Sequence, residues 1–264
     1  MYDAYQEIIV KTEEKIATIT FNRLQFGNAF ALATYSEVID AVEKLGGDDA
    51  VGAIVLTGAG KHFSAGGDIN RFKELIETKT YLAPENVKTA GKMAMTVRRC
   101  PKPVIAMING AAAGAGCSLA LACDFRIVTP KSKLVMAFVN MGLSGDTGGM
   151  YYLQKLLGTG KTMEMLMTGA PVSGEEAVRI GLATLLADED NLAATAYAFA
   201  KQLAVKPLVA LRHQKALLNE FFYGDLESYT EKEVAYMVDC SHSADFAEAV
   251  YAFIEKRPAG FIGK

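Results

Sequence analysis

Hydrophobic and polar residues alternate along this chain with two periods, one typical of strands and the other of helices. Short apolar runs at 8–10, 16–21, 52–56, 103–108 and 125–128 predict strands, and the first two flank a charged turn that indicates an opening hairpin. Apolar residues at helical spacing predict helices at 35–45, 69–76, 116–122 and 150–157. This repeated change from strand to helix predicts an α/β fold with largely parallel strands.

From about residue 193 the pattern becomes nearly all helical. Apolar residues at helical spacing cover 194–203, 208–222, 226–238 and 246–254, and strand patterns are absent from this part of the sequence. We therefore divide the chain into an α/β core, residues 1–192, and a helical C-terminal region, residues 193–264.

Composition and sequence pattern argue against several classes of protein, namely nucleic-acid-binding, membrane and metal-binding proteins. Of the 264 residues 51% are hydrophobic, and the net charge of -3 gives no basic surface for nucleic acid or anionic lipid. No apolar run approaches the roughly 18 residues that a membrane-spanning helix needs, and the N-terminal residues show no signal-peptide pattern. The four cysteines and three histidines lack the spacing of metal ligands. These features predict a cytoplasmic protein with reduced thiols, no metal, and no nucleic-acid or membrane partner.

Two glycine-rich stretches, 62–68 and 109–117, are the candidates for chemistry. Each follows a predicted strand and leads into a predicted helix, whose N-terminus exposes backbone N–H groups to an anion. Two such turns facing each other can stabilise an oxygen that becomes negative during a reaction, as an oxyanion hole does. Taken alone, each stretch is equally well explained as a tight turn that needs small residues.

With Phe21-Asn22-Arg23 before them and Met141-Gly142-Leu143 and Gly148-Gly149 after them, these stretches resemble the crotonase (enoyl-CoA hydratase/isomerase) superfamily. The resemblance extends from about residue 5 to the last residues. It implies a spiral of ββα units and C-terminal helices that assemble subunits into trimers, or hexamers made of two trimers. It also implies an acyl thioester of coenzyme A as substrate, with coenzyme A present only as part of that substrate and no other cofactor.

The resemblance assigns roles to individual residues. Gly67 and Ala115 would donate the two N–H groups of an oxyanion hole, which stabilises the enolate formed when a thioester loses a proton beside its carbonyl. Asp68 is also a candidate cap for the helix that follows it. Contacts with coenzyme A or the acyl group are implied for Arg23, Gln25, Phe26, Ala65, Gly66, Asp68, Ile69, Phe138 and Lys256.

The proton-handling residues differ from those of the best-known relatives. Enoyl-CoA hydratases use two glutamates, and the matching positions here hold Ser118 and Phe138, which cannot activate water. Only two acidic residues lie between 110 and 161: Asp124, whose helix-to-strand junction indicates a structural role, and Asp146. The pattern around Asp146, Gly-Leu-x-x-Asp-x-Gly-Gly, is similar to that of phenylacetate-pathway ring-epoxide isomerases, and dienoyl-CoA isomerases also use an aspartate here.

A single carboxylate suits a double-bond shift, because one base can remove a proton at C2 or C4 and return it at the other carbon. Apolar neighbours at 136–141 would raise its pKa by desolvation. We therefore predict an acyl-CoA isomerase, or an enzyme of the related ring-epoxide rearrangement, with Asp146 as general acid/base.

Several alternatives stay open. Asp146 could instead be the N-cap of the helix at 150–157, and the protein could be an enoyl-CoA hydratase or a non-catalytic acyl-CoA-binding homologue. The lack of tryptophan, and of any histidine between His62 and His213, argues against the related chlorobenzoyl-CoA dehalogenases.

Overall fold

The computed structural model describes residues 4–264, and within this range nine strands form two sheets. The first three residues, part of the N-terminal stretch without a signal-peptide pattern, lie outside it. The strands are β1 (Ile8–Glu13), β2 (Ile16–Phe21), β3 (Ala53–Gly58), β4 (Val104–Ile108), β5 (Ala111–Ala113), β6 (Phe125–Val128), β7 (Lys133–Val135), β8 (Val172–Ser173) and β9 (Leu185–Leu186).

The main sheet has six strands in the order β1-β2-β3-β4-β6-β9. Its first two strands pair antiparallel, and the turn between them has Glu14 and Lys15 at positive φ, so the predicted hairpin is confirmed. All other neighbours in this sheet are parallel. A smaller sheet has three strands in the order β5-β7-β8. Along the chain its strands are interspersed with the later strands of the main sheet. The mixed α/β architecture agrees with the predicted fold class.

Ten α-helices connect and cover the sheets within the described residues. They are α1 (Leu32–Gly47), α2 (Ile69–Glu77), α3 (Pro84–Arg99), α4 (Ala115–Ala122), α5 (Gly149–Thr168, interrupted at Gly158), α6 (Gly174–Arg179), α7 (Leu192–Ala204), α8 (Leu208–Phe222), α9 (Leu226–Ser241) and α10 (Ala244–Glu255). Every helix expected from the apolar spacing is present, whereas α3 and α6 were not indicated by the pattern. None of these helices is both long and apolar enough to cross a membrane.

The core lies on both faces of the main sheet. A large apolar cluster fills the space between one face and α1, α3 and α4, and it includes side chains of α9 and α10. The other face carries a smaller cluster in which α7 packs on the sheet through alanines spaced four apart, Ala196, Ala200 and Ala204. Because β3 and β4 are buried on both faces, they read as continuous apolar runs. The apolar clusters therefore run across residue 192, where the secondary structure changes class.

Asp124 has a structural position, as its sequence context predicts. It lies between α4 and β6, where its carboxylate accepts hydrogen bonds from Val104 N at 2.8 Å and from Lys215 Nζ at 2.7 Å. Arg98 forms an ion pair with the other oxygen. These contacts join the start of β4 to α3 and α8, so Asp124 stabilises the fold away from the glycine-rich turns.

Candidate active site

The two glycine-rich turns meet because they follow neighbouring parallel strands. The first turn comes after β3 and the second after β4, so both begin at the same edge of the sheet. They are joined directly: Ser64 N donates to Ala111 O at 3.1 Å, and Ala113 N donates to Ser64 O at 2.9 Å. This short parallel bridge fixes the position of one turn relative to the other.

The contact between the turns is too close for larger residues. Gly66 has a φ of 92°, and a Cβ there would lie 2.6 Å from the Ala113 carbonyl oxygen. A Cβ on Gly67 would lie 2.7 Å from the Phe72 ring. Beside them, Ala115 is the first residue of α4, where backbone N–H groups lack helical acceptors. Within residues 4–264 neither Gly67 N–H nor Ala115 N–H donates to a protein acceptor, so both are available to a ligand.

Both residues line a cavity of about 500 Å³. Much of its surface is apolar and comes from α2, α3, the connection between them and the segment before α5: Phe72, Leu82, Val87, Phe138, Met141 and Leu143. Of the residues predicted for substrate binding, Gln25, Phe26, Ala65, Asp68, Ile69 and Phe138 also lie in its wall. A pocket of this size and character suits a small apolar group presented beside a few polar atoms.

Asp146 contributes a carboxyl group to this cavity. The residue is only 8% exposed, and burial raises its pKa from 3.8 to about 6. A hydrogen bond from the Thr147 hydroxyl to Oδ1, 2.6 Å long, and the charge of Arg71 oppose that rise. A carboxylate with a pKa near 6 is ionised at neutral pH and is a stronger base than an exposed aspartate, which suits general acid–base catalysis.

The structure excludes the N-cap explanation for Asp146. The N-cap of α5 is Gly148, in a left-handed conformation with a φ of 70°, and no side chain caps the helix there. Instead, the Asp146 carbonyl accepts from Gly149 N at 3.2 Å, and its carboxylate is left facing the cavity. The Gly148 N–H donates to Glu233 Oε2 at 2.8 Å.

Arg23 and Asp68 form part of a polar network beside the cavity. Arg23 forms ion pairs with Glu7 at 2.6 Å and with Asp68 at 2.9 Å, and its guanidinium lies over the Phe26 ring. Asp68 also accepts from Asn70 N at 3.0 Å, which confirms its role as the N-cap of α2. Arg23 itself is not in the cavity wall, and its ion pairs order the loop that follows it.

Two further positions lie apart from the cavity wall: a predicted contact, Lys256, and Ser118, where hydratases of this family have a glutamate. Lys256 is exposed and ends α10 with a φ of 56°, three residues beyond Phe253, which does line the cavity. Ser118 is fully buried between α4 and α5, where its hydroxyl donates to the Gly114 carbonyl at 3.2 Å. Ser118 is therefore a packing residue without access to a ligand.

Three ionisable residues in or beside the cavity were not indicated by the sequence. Tyr35 of α1 and Arg71 of α2 line the cavity, and burial, with a smaller effect of the Asp146 charge, raises the pKa of Tyr35. Glu233 of α9 lies 85 positions from the glycine whose N–H it binds. No local motif marks these positions, because they reach the site only through the packing of distant helices. Among the described residues, no group of three or more His, Cys, Asp or Glu is arranged to hold a metal ion.

The fold and the two joined turns define a protein of the crotonase class. The enoyl-CoA hydratase/isomerase family model matches residues 11–264, and the chain belongs to this family. It is 35% identical to a crotonyl-CoA hydratase from Syntrophomonas wolfei over 99% of this chain and 100% of that protein. It is 33% identical to a 1,2-epoxyphenylacetyl-CoA isomerase from Escherichia coli over 97% of this chain and 98% of that protein.

Solved structures agree with this assignment. An enoyl-CoA hydratase from Mycobacterium avium subsp. paratuberculosis superposes with a TM-score of 0.89 and 25% identity, covering 97% of this chain and 99% of that one. An enoyl-CoA hydratase from Bacillus anthracis gives a TM-score of 0.78 at 29% identity, covering 98% of this chain and all of the other. Both hydratases and isomerases are thus among the relatives, and the choice between the two reactions depends on the residues of the site.

Proposed function

We propose that this protein is an acyl-CoA isomerase that shifts a carbon–carbon double bond through an enolate. The observation that supports this proposal is the buried carboxylate of Asp146, which lies in the same apolar cavity as the free N–H groups of Gly67 and Ala115. An anion-stabilising pair and one base are sufficient for a double-bond shift, and the rearrangement of a ring epoxide is a related possibility for the same groups.

In the proposed reaction the thioester carbonyl of a 3-enoyl-CoA accepts hydrogen bonds from Gly67 N–H and Ala115 N–H. The Asp146 carboxylate removes a proton from C2, and the electrons of that C–H bond form an enolate whose negative oxygen the two donors stabilise. The Asp146 carboxyl then gives its proton to C4 as the 3,4 double bond moves to C2 and C3. The base is regenerated, so atoms and charge balance over the cycle.

Hydration is the second candidate, because relatives of both kinds are similar to this chain. Syn hydration in this family uses two acidic groups, one to position water and another to supply a proton. The other carboxylate in the cavity wall, Asp68, is paired with Arg23 and caps α2, so it is not free for either task. Phe138, at one position where the family resemblance implies a glutamate, presents an aromatic ring instead.

The test is a paired assay of wild-type protein and Asp146→Ala with a 3-enoyl-CoA and with crotonyl-CoA. Isomerisation of the 3-enoyl thioester by the wild type should fall by roughly 10²–10⁴ in the variant. Asp239→Ala, which removes an exposed carboxylate on α9 outside the cavity, is the matched control and should stay within a few-fold of wild type. Rapid hydration of crotonyl-CoA that persists in Asp146→Ala would contradict the proposal.

We further propose that coenzyme A lies along the segment 65–69 and along Gln25 and Phe26; all of these residues except Gly66 lie in the cavity wall. Phe253 also lines this cavity, which supports a position for Lys256 near the nucleotide end of the ligand. Charge removal by Lys256→Met should raise the KM for an acyl-CoA more than the KM for the corresponding acyl-pantetheine. Equal changes for both would exclude a phosphate contact.

Self-association is part of the same proposal. Large apolar side chains of α8 are exposed in the isolated chain: Val209, Leu217, Leu218, Phe221 and Phe222. Exposed apolar side chains concentrated on one helix are typical of a protein interface, and we propose that α8 contacts further copies of this chain in a trimer or a pair of trimers. Light scattering of the purified protein measures the mass of the assembly, and a monomer would contradict this proposal.

A further inference from the structure

The turn that carries Asp146 is strained. Gly145, Thr147 and Gly148 all have positive φ, at 111°, 63° and 70°. Thr147 is β-branched and only 1% exposed, and such residues rarely adopt the left-handed conformation. Strain of this kind persists where the surrounding structure imposes it, and it is concentrated at functional sites. Something outside the turn must therefore hold it.

Two of the hydrogen bonds at this turn join residues that are close in sequence, and a third connects the turn to another helix. The Thr147 hydroxyl donates to Asp146 Oδ1, and Gly149 N donates to the Asp146 carbonyl. The bond from Gly148 N–H to Glu233 Oε2 is different, because it joins the turn to α9. Glu233 is itself 6% exposed and is packed where α9 meets the turn, so its carboxyl has little freedom to move. A buried acceptor on a long helix is well suited to fix a strained backbone.

We infer that Glu233 is a positioning residue for the proposed reaction: by accepting the Gly148 N–H, it fixes the strained turn that aims Asp146 at the substrate. This inference rests on the proposed function of Asp146, but it concerns a residue that does not line the acyl cavity. Glu233 acts through the backbone and touches no reacting atom.

Glu233 lies in the wall of a second cavity. Asp146, Thr147 and Glu233 together line a space of about 740 Å³ between α1, α3 and α9, separate from Gly67 and Ala115. Burial, and to a lesser degree the charge of Asp146, raises the pKa of Glu233 to about 8. At pH 7 the glutamate is therefore mainly a neutral acid beside an ionised Asp146, and no second negative charge opposes the enolate.

Other charged and titratable groups face Glu233 from its surroundings. Tyr152 of α5 and Tyr229 of α9 are buried phenols whose pKa values are raised by burial, so they stay neutral. Lys88 and Lys92 of α3, Arg99 at its end, Glu43 of α1, and Glu227 and Glu231 of α9 line the same cavity. Ionisation of Glu233 above about pH 8 adds negative charge next to Asp146, which should disfavour the enolate.

The experiment compares Glu233→Gln, Glu233→Asp and Glu233→Ala with wild type, using the 3-enoyl-CoA assay over a range of pH. Gln keeps an oxygen for Gly148 N–H and is neutral, so its kcat at pH 7 should stay within threefold, and its decline above pH 8 should vanish. Ala lacks the acceptor and Asp is too short to reach, so kcat should fall by about 10²-fold, the effect of a small misplacement of a catalytic group. KM should change less than threefold.

Hydrogen–deuterium exchange of peptides covering 142–149 gives a readout that does not depend on activity. Exchange should accelerate in Glu233→Ala and Glu233→Asp and stay as in wild type in Glu233→Gln. Asp239→Ala, an exposed residue of the same helix outside both cavities, is the control and should leave both readouts unchanged. If either Glu233→Ala or Glu233→Asp fails to fold, the remaining variant is compared with Glu233→Gln, and that comparison still tests the positioning role.

The two proposals fail differently. Activity that survives Asp146→Ala would refute the proposed function of Asp146. Activity lost in Asp146→Ala but kept within threefold in Glu233→Asp and Glu233→Ala would refute only the positioning role. An equal loss in Glu233→Gln and Glu233→Ala would also refute it, because the hydrogen-bond acceptor would then be irrelevant.

Discussion

Replacing Asp146 by asparagine should make the protein more stable and less active. The carboxyl is buried, and its pKa rises from 3.8 to about 6 because ionisation in this apolar position is unfavourable. Asparagine has nearly the same shape, carries no charge, and can still accept the hydrogen bond from the Thr147 hydroxyl. The variant therefore removes the cost of the buried charge with little change in packing.

The size of the effect follows from the linkage between proton binding and folding. One pKa unit corresponds to about 1.4 kcal/mol, so the rise from 3.8 to about 6 amounts to about 3 kcal/mol. Because the folded-state pKa is the higher one, protonation favours the folded state. This contribution is fully present below pH 3.8 and is lost as the pH rises through 6. Asp146→Asn should accordingly exceed the wild type by about 3 kcal/mol at pH 8 and by about half as much at pH 5.

Urea unfolding of both proteins at several pH values between 5 and 8 measures this difference. Asp239→Asn, an exposed aspartate on α9, is the matched control and should differ little from wild type at every pH. At pH 7 the kcat of Asp146→Asn should be lower by roughly 10²–10⁴. A variant that is less stable than wild type at pH 8, or a stability difference that does not change with pH, would refute the reasoning.

Three further predictions concern neighbouring features. Ala115→Pro removes one N–H donor at a helix position that tolerates proline, so kcat should fall roughly 10²–10³-fold in steady-state assays while circular dichroism is unchanged; an unaltered kcat would exclude this donor. The kcat/KM of the wild type should fall about tenfold from pH 7 to pH 5 as Asp146, with its pKa of about 6, gains a proton, and a flat profile would argue against it as the base. Asp124→Ala leaves Arg98 and Lys215 buried without their partner and should cost about 3–5 kcal/mol in urea unfolding, whereas a loss below 1 kcal/mol would contradict its structural role.

Strands and helices are predictable from the sequence where the buried positions of an element follow one regular pattern. Strands β3 and β4 are apolar throughout because both of their faces are covered, and the predicted helix at 208–222 coincides with α8. Helix α3 was missed because several of its buried positions hold small or polar residues, which interrupt the apolar spacing typical of a helix. Gly91, for example, faces Thr230 of α9, where a larger residue would meet that side chain at 3.6 Å.

The candidate site was predictable only in part. The two turns are recognisable because the backbone of the second turn lies too close to Gly66 for a side chain, and the small residues that allow this contact follow one another in the sequence. The environment of Asp146 is not local. An aspartate before a helix indicates an N-cap, but the left-handed Thr147 and Gly148 start the helix later and leave the carboxylate in the cavity. Glu233, which binds that turn, comes from α9, and no spacing rule connects the two.

The transfer of a deuterium label tests the central claim most directly. A 3-enoyl-CoA carrying deuterium at C2 is converted in ordinary water, and the product is analysed by NMR. If the Asp146 carboxyl moves one proton from C2 to C4 in an apolar cavity, part of the label should appear at C4, and Asp146→Asn should form almost no product. Product that forms at the wild-type rate in Asp146→Asn, with only solvent hydrogen at C4, would contradict the account.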